Sequence, residues 1–175
     1  EIPLPEKLGN ITWTSTSSGF FIDIRDNNKY GVVKIGNQVW MKDNLRYRSR
    51  ESISFKCNNA NDINGRLYNW DDAKEVSPSG WSLPSKSDFE ILQLKLSETE
   101  LKDKKYFNAY SAGSAFLGVE RCLDEFPQFD EELNYWTSTP IGKQVAWSFK
   151  NYYNKLQPSW SSSYRKGRTE SGCYY

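Results

Sequence analysis

The chain has 175 residues, 23 Lys+Arg against 22 Asp+Glu, and a mean hydropathy of −0.77. That length suits one domain with one core, and the balanced charge argues against nucleic acid or an anionic membrane as partner. With no His in the sequence, Ser-His-Asp and Cys-His catalysis and His-ligated metal sites are excluded.

Seven Trp, eleven Tyr and nine Phe supply core material that the few aliphatics do not. Rings can pack inside or form a binding surface, and both uses are open at this point. Cys57, Cys122 and Cys173 match no zinc spacing, and an odd count leaves their pairing open. No apolar run approaches the roughly 18 residues of a membrane span.

In chain order, residues 1–18 read as an extended, polar lead-in. It starts at Glu1 like a processed N-terminus, which gives an expectation of an extracytoplasmic home. In "FFIDIRDNNKYGVVKIGNQVWM", Phe20, Ile22 and Ile24 alternate with Phe21, Asp23 and Arg25. "DNNK" and the "GN" at 36–37 are hairpin turns. Val39 and Met41 are expected inward, with Trp40 on the opposite side. Residues 48–64 read as a loop. Leu67, Trp70, Ala73 and Lys74 suit one helical face, ended by Pro78 and Gly80. "GWSLP" at 80–84 reads as a short buried strand. A second helix follows, with Phe89, Ile91, Leu92 and Leu96 as its stripe. Ser87 with Glu90 forms a capping box there, and Ser85 with Asp88 competes for it.

"ERCLDEFPQFDEE" at 120–132 holds six acids and one Arg, and reads as a solvated loop. Its Asp124, Glu125, Asp130, Glu131 and Glu132 are also the candidate ligands should the domain hold calcium, a hard cation that wants six to eight oxygens. The late strands are expected at "NYWTST", "VAWSFK" and "GCYY".

The motifs "GFFIDIRDNNKYGVVKIGNQVWMKDNLRY", "GRLYNWDDAK", "PSGWSLPSKSDFEIL", "YWTST" and "AWSF" run in one order. In that order the chain resembles the Fibrobacter succinogenes major paralogous domain, over residues 19–175 and most strongly in the first half. The resemblance implies an α+β, C-type-lectin-like fold of the formylglycine-generating-enzyme type, with two helices packed on small twisted antiparallel sheets. The chain departs from the family at "NDIN" and "EVSP", which lack the Cys that members often carry there.

What the resemblance implies for function is a non-catalytic recognition module on a bacterial surface or secreted. It would bind a protein of a surface assembly or a glycan through late loops and strands, with a lipid anchor upstream as one mode of attachment. Asn151, Tyr152, Tyr153, Asn154, Trp160, Tyr164 and Arg165 are the candidate ligand-binding residues, because rings give contact area and Asn gives adaptable hydrogen bonds. No cofactor is expected apart from that calcium. The alternative is an enzyme, either of the formylglycine-generating type or a hydrolase using carboxylate pairs such as Asp71–Asp72 or Asp124–Glu125. No pair of thiols matches the first, and Asp71 and Asp72 are accounted for as acids at a helix N-terminus.

Overall fold

The computed structural model describes residues 10–50, 52–54, 65–109, 134–141, 146–152, 155–159 and 168–170. Two sheets and three helices are present among them. The first sheet runs in chain order, β1 (Thr12–Trp13), β2 (Ser18–Asp23), β3 (Asn28–Ile35) and β4 (Gln38–Met41), all antiparallel. The second contains β5 (Ile53–Ser54), β6 (Arg66–Asn69), β7 (Asn134–Pro140), β8 (Ala146–Tyr152), β9 (Lys155–Ser159) and β10 (Arg168–Glu170). Its order is β5-β6-β10-β7-β8-β9, and β10 runs parallel to β7 and antiparallel to β6. The helices are α1 (Trp70–Glu75), α2 (Lys86–Lys95) and α3 (Glu98–Lys102). The α+β class is as expected. The structure has a third helix and a mixed second sheet where two helices and wholly antiparallel sheets were expected.

The predicted hairpins form where residues tolerate a left-handed backbone. Asn27 ends the β2–β3 turn at φ 60°, and Gly36 opens the β3–β4 turn at φ 61°. β1 lies inside the stretch read as lead-in and pairs with Phe20 and Gly19.

Strand alternation sends the first sheet into two cores. On one face Phe21, Tyr30, Val32, Val39 and Met41 join Tyr68, Trp70, Trp81 and Trp136. On the other, Val33, Ile35 and Trp40 join Phe89, Leu92, Leu101, Phe107, Tyr135 and Phe149. All four β4 residues are therefore buried, with Trp40 opposite Val39 and Met41 as expected. A ring removes about 150–250 Å² from water, roughly 4–6 kcal/mol at the usual area coefficient, so aromatic residues carry both cores.

Three sequence expectations are corrected. Leu67 does not sit on a helix: "RLYN" is β6, and the helix starts only at Trp70, where Asn69 Oδ1 accepts from Asp72 N at 2.8 Å. Leu67 and Trp70 are both buried, but from different elements, so their spacing imitated a helical stripe. In "GWSLP" only Ser82 makes an isolated bridge. The α2 cap is Ser85, whose backbone N and Oγ both donate to Asp88 Oδ2 (2.7 and 2.6 Å), while Ser87 is exposed. The earlier of the two competing boxes is the one that forms, with both of its reciprocal bonds present.

The alternation in β2 turns an acid inward and isoleucines outward. Phe21 and Asp23 are buried, whereas Ile22 is 47% and Ile24 81% exposed. Asp23 goes inside because it is neutralised there. Arg25 Nη2 donates to its Oδ2 at 2.6 Å, Arg25 Nε and N donate to Oδ1 (2.9 and 3.1 Å), and the guanidinium stacks 3.9 Å over Tyr47. That contact with the carboxylate holds the Arg25 pKa above its ordinary value.

Candidate functional site

Each residue of the stretch "GRLYNW" has a structural task. Gly65 has φ 98°, and a Cβ there would lie 2.4 Å from Asn44 Cβ. Arg66 donates to Ser52 through Nε (to Oγ, 2.9 Å) and Nη2 (to the carbonyl, 3.0 Å). Leu67 is fully buried, and Tyr68 donates its hydroxyl to the Tyr47 carbonyl at 2.6 Å. Asn69 caps α1. Trp70 Nε1 donates to the Thr137 carbonyl at 2.8 Å, and Trp136 Nε1 returns the arrangement by donating to the Tyr68 carbonyl at 2.9 Å. The two indoles thus lock β6 and α1 to β7. These residues are scaffold, and the same holds for Trp81, stacked on Phe21 at 4.8 Å.

Of the carboxylate pairs named for acid–base work, Asp124–Glu125 lies outside the described residues, and Asp71 and Asp72 are both engaged. Asp71 pairs with Lys74 at 3.1 Å, and Asp72 accepts from the Ser49 hydroxyl. Both acids lie in the first turn of α1, as expected from the dipole. Glu100 caps α3 by accepting from Ser97, which lowers its pKa. Burial raises the Tyr30 hydroxyl well above the ordinary tyrosine value, with the backbone N–H of Arg46 donating to it at 2.9 Å.

Between α2 and the β7–β8 pair runs a shallow, partly open seam lined by Lys86, Phe89, Glu90, Gln93, Thr137 and Trp147 among others. Phe89 and Phe149 stack at 4.3 Å on its floor. Lys86 lies 4.3 Å over the Trp147 ring and pairs with Glu90 at 3.3 Å, so its stem closes the seam. Ser148 Oγ and Asn134 Oδ1 are buried without a hydrogen-bond partner among the described residues. Ser148 pairs with Trp136 in the register, which places its side chain on the opposite face of β8 from Trp147.

Of the predicted binding residues, Asn151 and Tyr152 lie at the end of β8, next to the turn into β9, and pair with Leu156 and Lys155. Tyr153, Asn154, Trp160, Tyr164 and Arg165 fall outside the described residues, as do the five acids named for calcium and all three Cys. Among the described residues, no three His, Cys, Asp or Glu side chains come together as a metal site, and no helix is long and apolar enough to cross a membrane. The second statement says nothing of a β-barrel.

Part of this scaffold is similar to a known family. The model of the Fibrobacter succinogenes major domain matches residues 33–115. Over that stretch the chain is similar to the family. The match runs from β3 through α3 and takes in "GRLYNW" and "GWSLP". The late motifs "YWTST" and "AWSF", read as part of the same resemblance, lie beyond it. No curated protein and no solved structure matches the chain.

Sequence reasoning missed one surface feature, the outward row of β2. Its signal was present in the alternation at 20–24, but the apolar members were the natural choice for the inside.

Proposed function

We propose that the chain is a non-catalytic recognition module of a bacterial cell surface or of the secreted fraction, with a C-type-lectin-like arrangement of its helices and sheets. It binds a protein of a surface assembly or a glycan through the end of the β8–β9 hairpin and the loops near it, with Asn151, Tyr152, Tyr153, Asn154, Trp160, Tyr164 and Arg165 as the binding residues. No cofactor takes part, and a lipid-modified residue upstream is one way the module is held.

One observation carries this reading. Several polar groups that catalysis would draw on among the described residues are committed to the scaffold: Asp72 to Ser49, Asp88 to the start of α2, Asp23 to Arg25, Arg66 to Ser52. Function then sits on what the rigid frame displays, as is common for loops on a fixed scaffold.

The experiment is a glycan screen with the purified chain, with Trp160→Ala as control, alongside labelling of intact cells with a membrane-impermeant amine reagent. Labelling on intact cells, with glycan binding that Trp160→Ala removes, supports the proposal. Protection from the label until the cells are broken overturns the surface assignment.

A further inference from the structure

The first sheet is covered unevenly on the face that carries Trp40. One end, at Val33, Ile35 and Trp40, is packed under Phe89, Leu101 and Phe107. At the other end the register brings Phe20 opposite Gly31 and Ile22 opposite Lys29. Ile22 is 47% exposed there, and Ile24, at the start of the turn, is 81% exposed. An outward apolar row of this kind, beside a buried Asp23, inverts the usual order of a half-buried strand and is the kind of surface feature that marks an interaction site.

Two amines border the row. Lys29 Nζ lies 3.7 Å over the Phe20 ring. The Lys42 stem runs across Gly31, where a Cβ would meet its Cβ at 3.6 Å and its Cδ at 3.9 Å. The acids of this end are turned to internal work. Asp43 Oδ2 accepts from Gly31 N at 2.6 Å, Asp26 holds Asn28 through its N and Nδ2 (2.9 and 2.8 Å), and Asp23 holds Arg25. Neither Lys29 nor Lys42 forms an ion pair with an acid among the described residues. Among the described residues the strip therefore shows apolar side chains between two positive charges that no carboxylate pairs.

We propose that Phe20, Ile22 and Ile24, with Lys29 and Lys42, form a docking strip for an acidic segment of a partner protein that carries apolar side chains between its carboxylates. This inference rests on the recognition reading above and gives that reading a second contact surface, on the opposite part of the sequence from the β8–β9 hairpin. Apolar contacts supply affinity, and the lysines supply encounter rate and sign selectivity.

The test uses the whole chain, isotopically labelled, titrated by NMR with a 12-residue peptide of alternating Glu and Val. Polyglutamate, alginate and a Lys-Val peptide of equal length serve as comparisons. The expected result is Glu-Val binding with shifts confined to residues 20–24, 29–31 and 42–43, and no Lys-Val binding. Lys29→Glu and Lys42→Glu each weaken binding by roughly two- to fivefold, the range of an exposed ion pair, and Ile22→Ser weakens it about tenfold. All three positions are at least partly exposed, so these variants fold, and a matching amide spectrum checks that. Three results overturn the proposal: no binding, shifts located elsewhere, or binding of polyglutamate or alginate that matches the Glu-Val peptide and ignores Ile22→Ser. Each of these leaves the Trp160 glycan screen unaffected, so the two readings fail separately.

Discussion

Trp40 offers the sharpest test of the two-core arrangement. It is 1% exposed and meets Phe89 at 5.2 Å and Phe107, edge-on, at 5.3 Å. Its Nε1 donates to Gln38 Oε1 at 3.2 Å, and Gln38 is itself buried. Trp40→Ala removes the ring from between β4 and α2, and a truncation of that size in a core costs about 3–5 kcal/mol. It also strands Gln38 Oε1, which adds about 1 kcal/mol. A total near 4–6 kcal/mol is a large part of the roughly 5–15 kcal/mol by which domains are stable. The melting temperature should fall by roughly 10–15 °C for a chain of this size. Urea unfolding with matched m-values is the assay. Trp40→Phe keeps most of the ring area and should lose less than half as much. A loss below about 1.5 kcal/mol for Trp40→Ala would mean that the second core does not depend on this ring, and the packing argument would be refuted.

Four further outcomes follow from the geometry. Ser85→Ala should cost about 1 kcal/mol and Ser87→Ala less than 0.5, read by urea unfolding; the reverse ranking would place the α2 cap wrongly. Gly65→Ala should cost about 3 kcal/mol, from its positive φ and from the Asn44 side chain that a Cβ would strike, so a neutral result would mean that this close approach is absent. Arg25→Ala should cost about 2–3 kcal/mol by leaving the buried Asp23 carboxylate without its guanidinium, and the Asp23→Leu/Arg25→Leu double variant should cost less. Tyr30 carries a raised pKa in the folded chain, so its contribution is complete below the unfolded value near 10 and is lost as pH rises above that value. Stability measured from pH 8 to 11 should then fall more steeply for the natural chain than for Tyr30→Phe.

Much of the frame was legible because its signals are local. The turns at Asn27 and Gly36 need a left-handed backbone, and period-two alternation around them sets β3 and β4 with Trp40 opposite its neighbours. Features decided by distant partners were harder to read. Leu67 and Trp70 share a spacing that suits a helix, yet Tyr68 and Trp136 bind across the molecule and make "RLYN" a strand. Asp23 is inside because Arg25 and Tyr47 meet it there, and nothing in the alternation discloses that. Ser85 and Ser87 both stand three residues before an acid, so spacing alone did not choose between them. β10 joins β6 to β7 in a mixed sheet, a pairing with no marker in its three residues. For the binding site, the sequence offered rings and Asn in the late region, and only Asn151 and Tyr152 of that set fall on a described strand.

The central claim is that this domain recognises something at the bacterial surface and carries out no chemistry of its own. Gentle purification of the full natural protein from its envelope, with identification of what accompanies it, tests that claim most directly. The account predicts recovery from the envelope with a stoichiometric protein partner or a bound glycan. Recovery from the cytoplasm, alone and free of sugar, would contradict it.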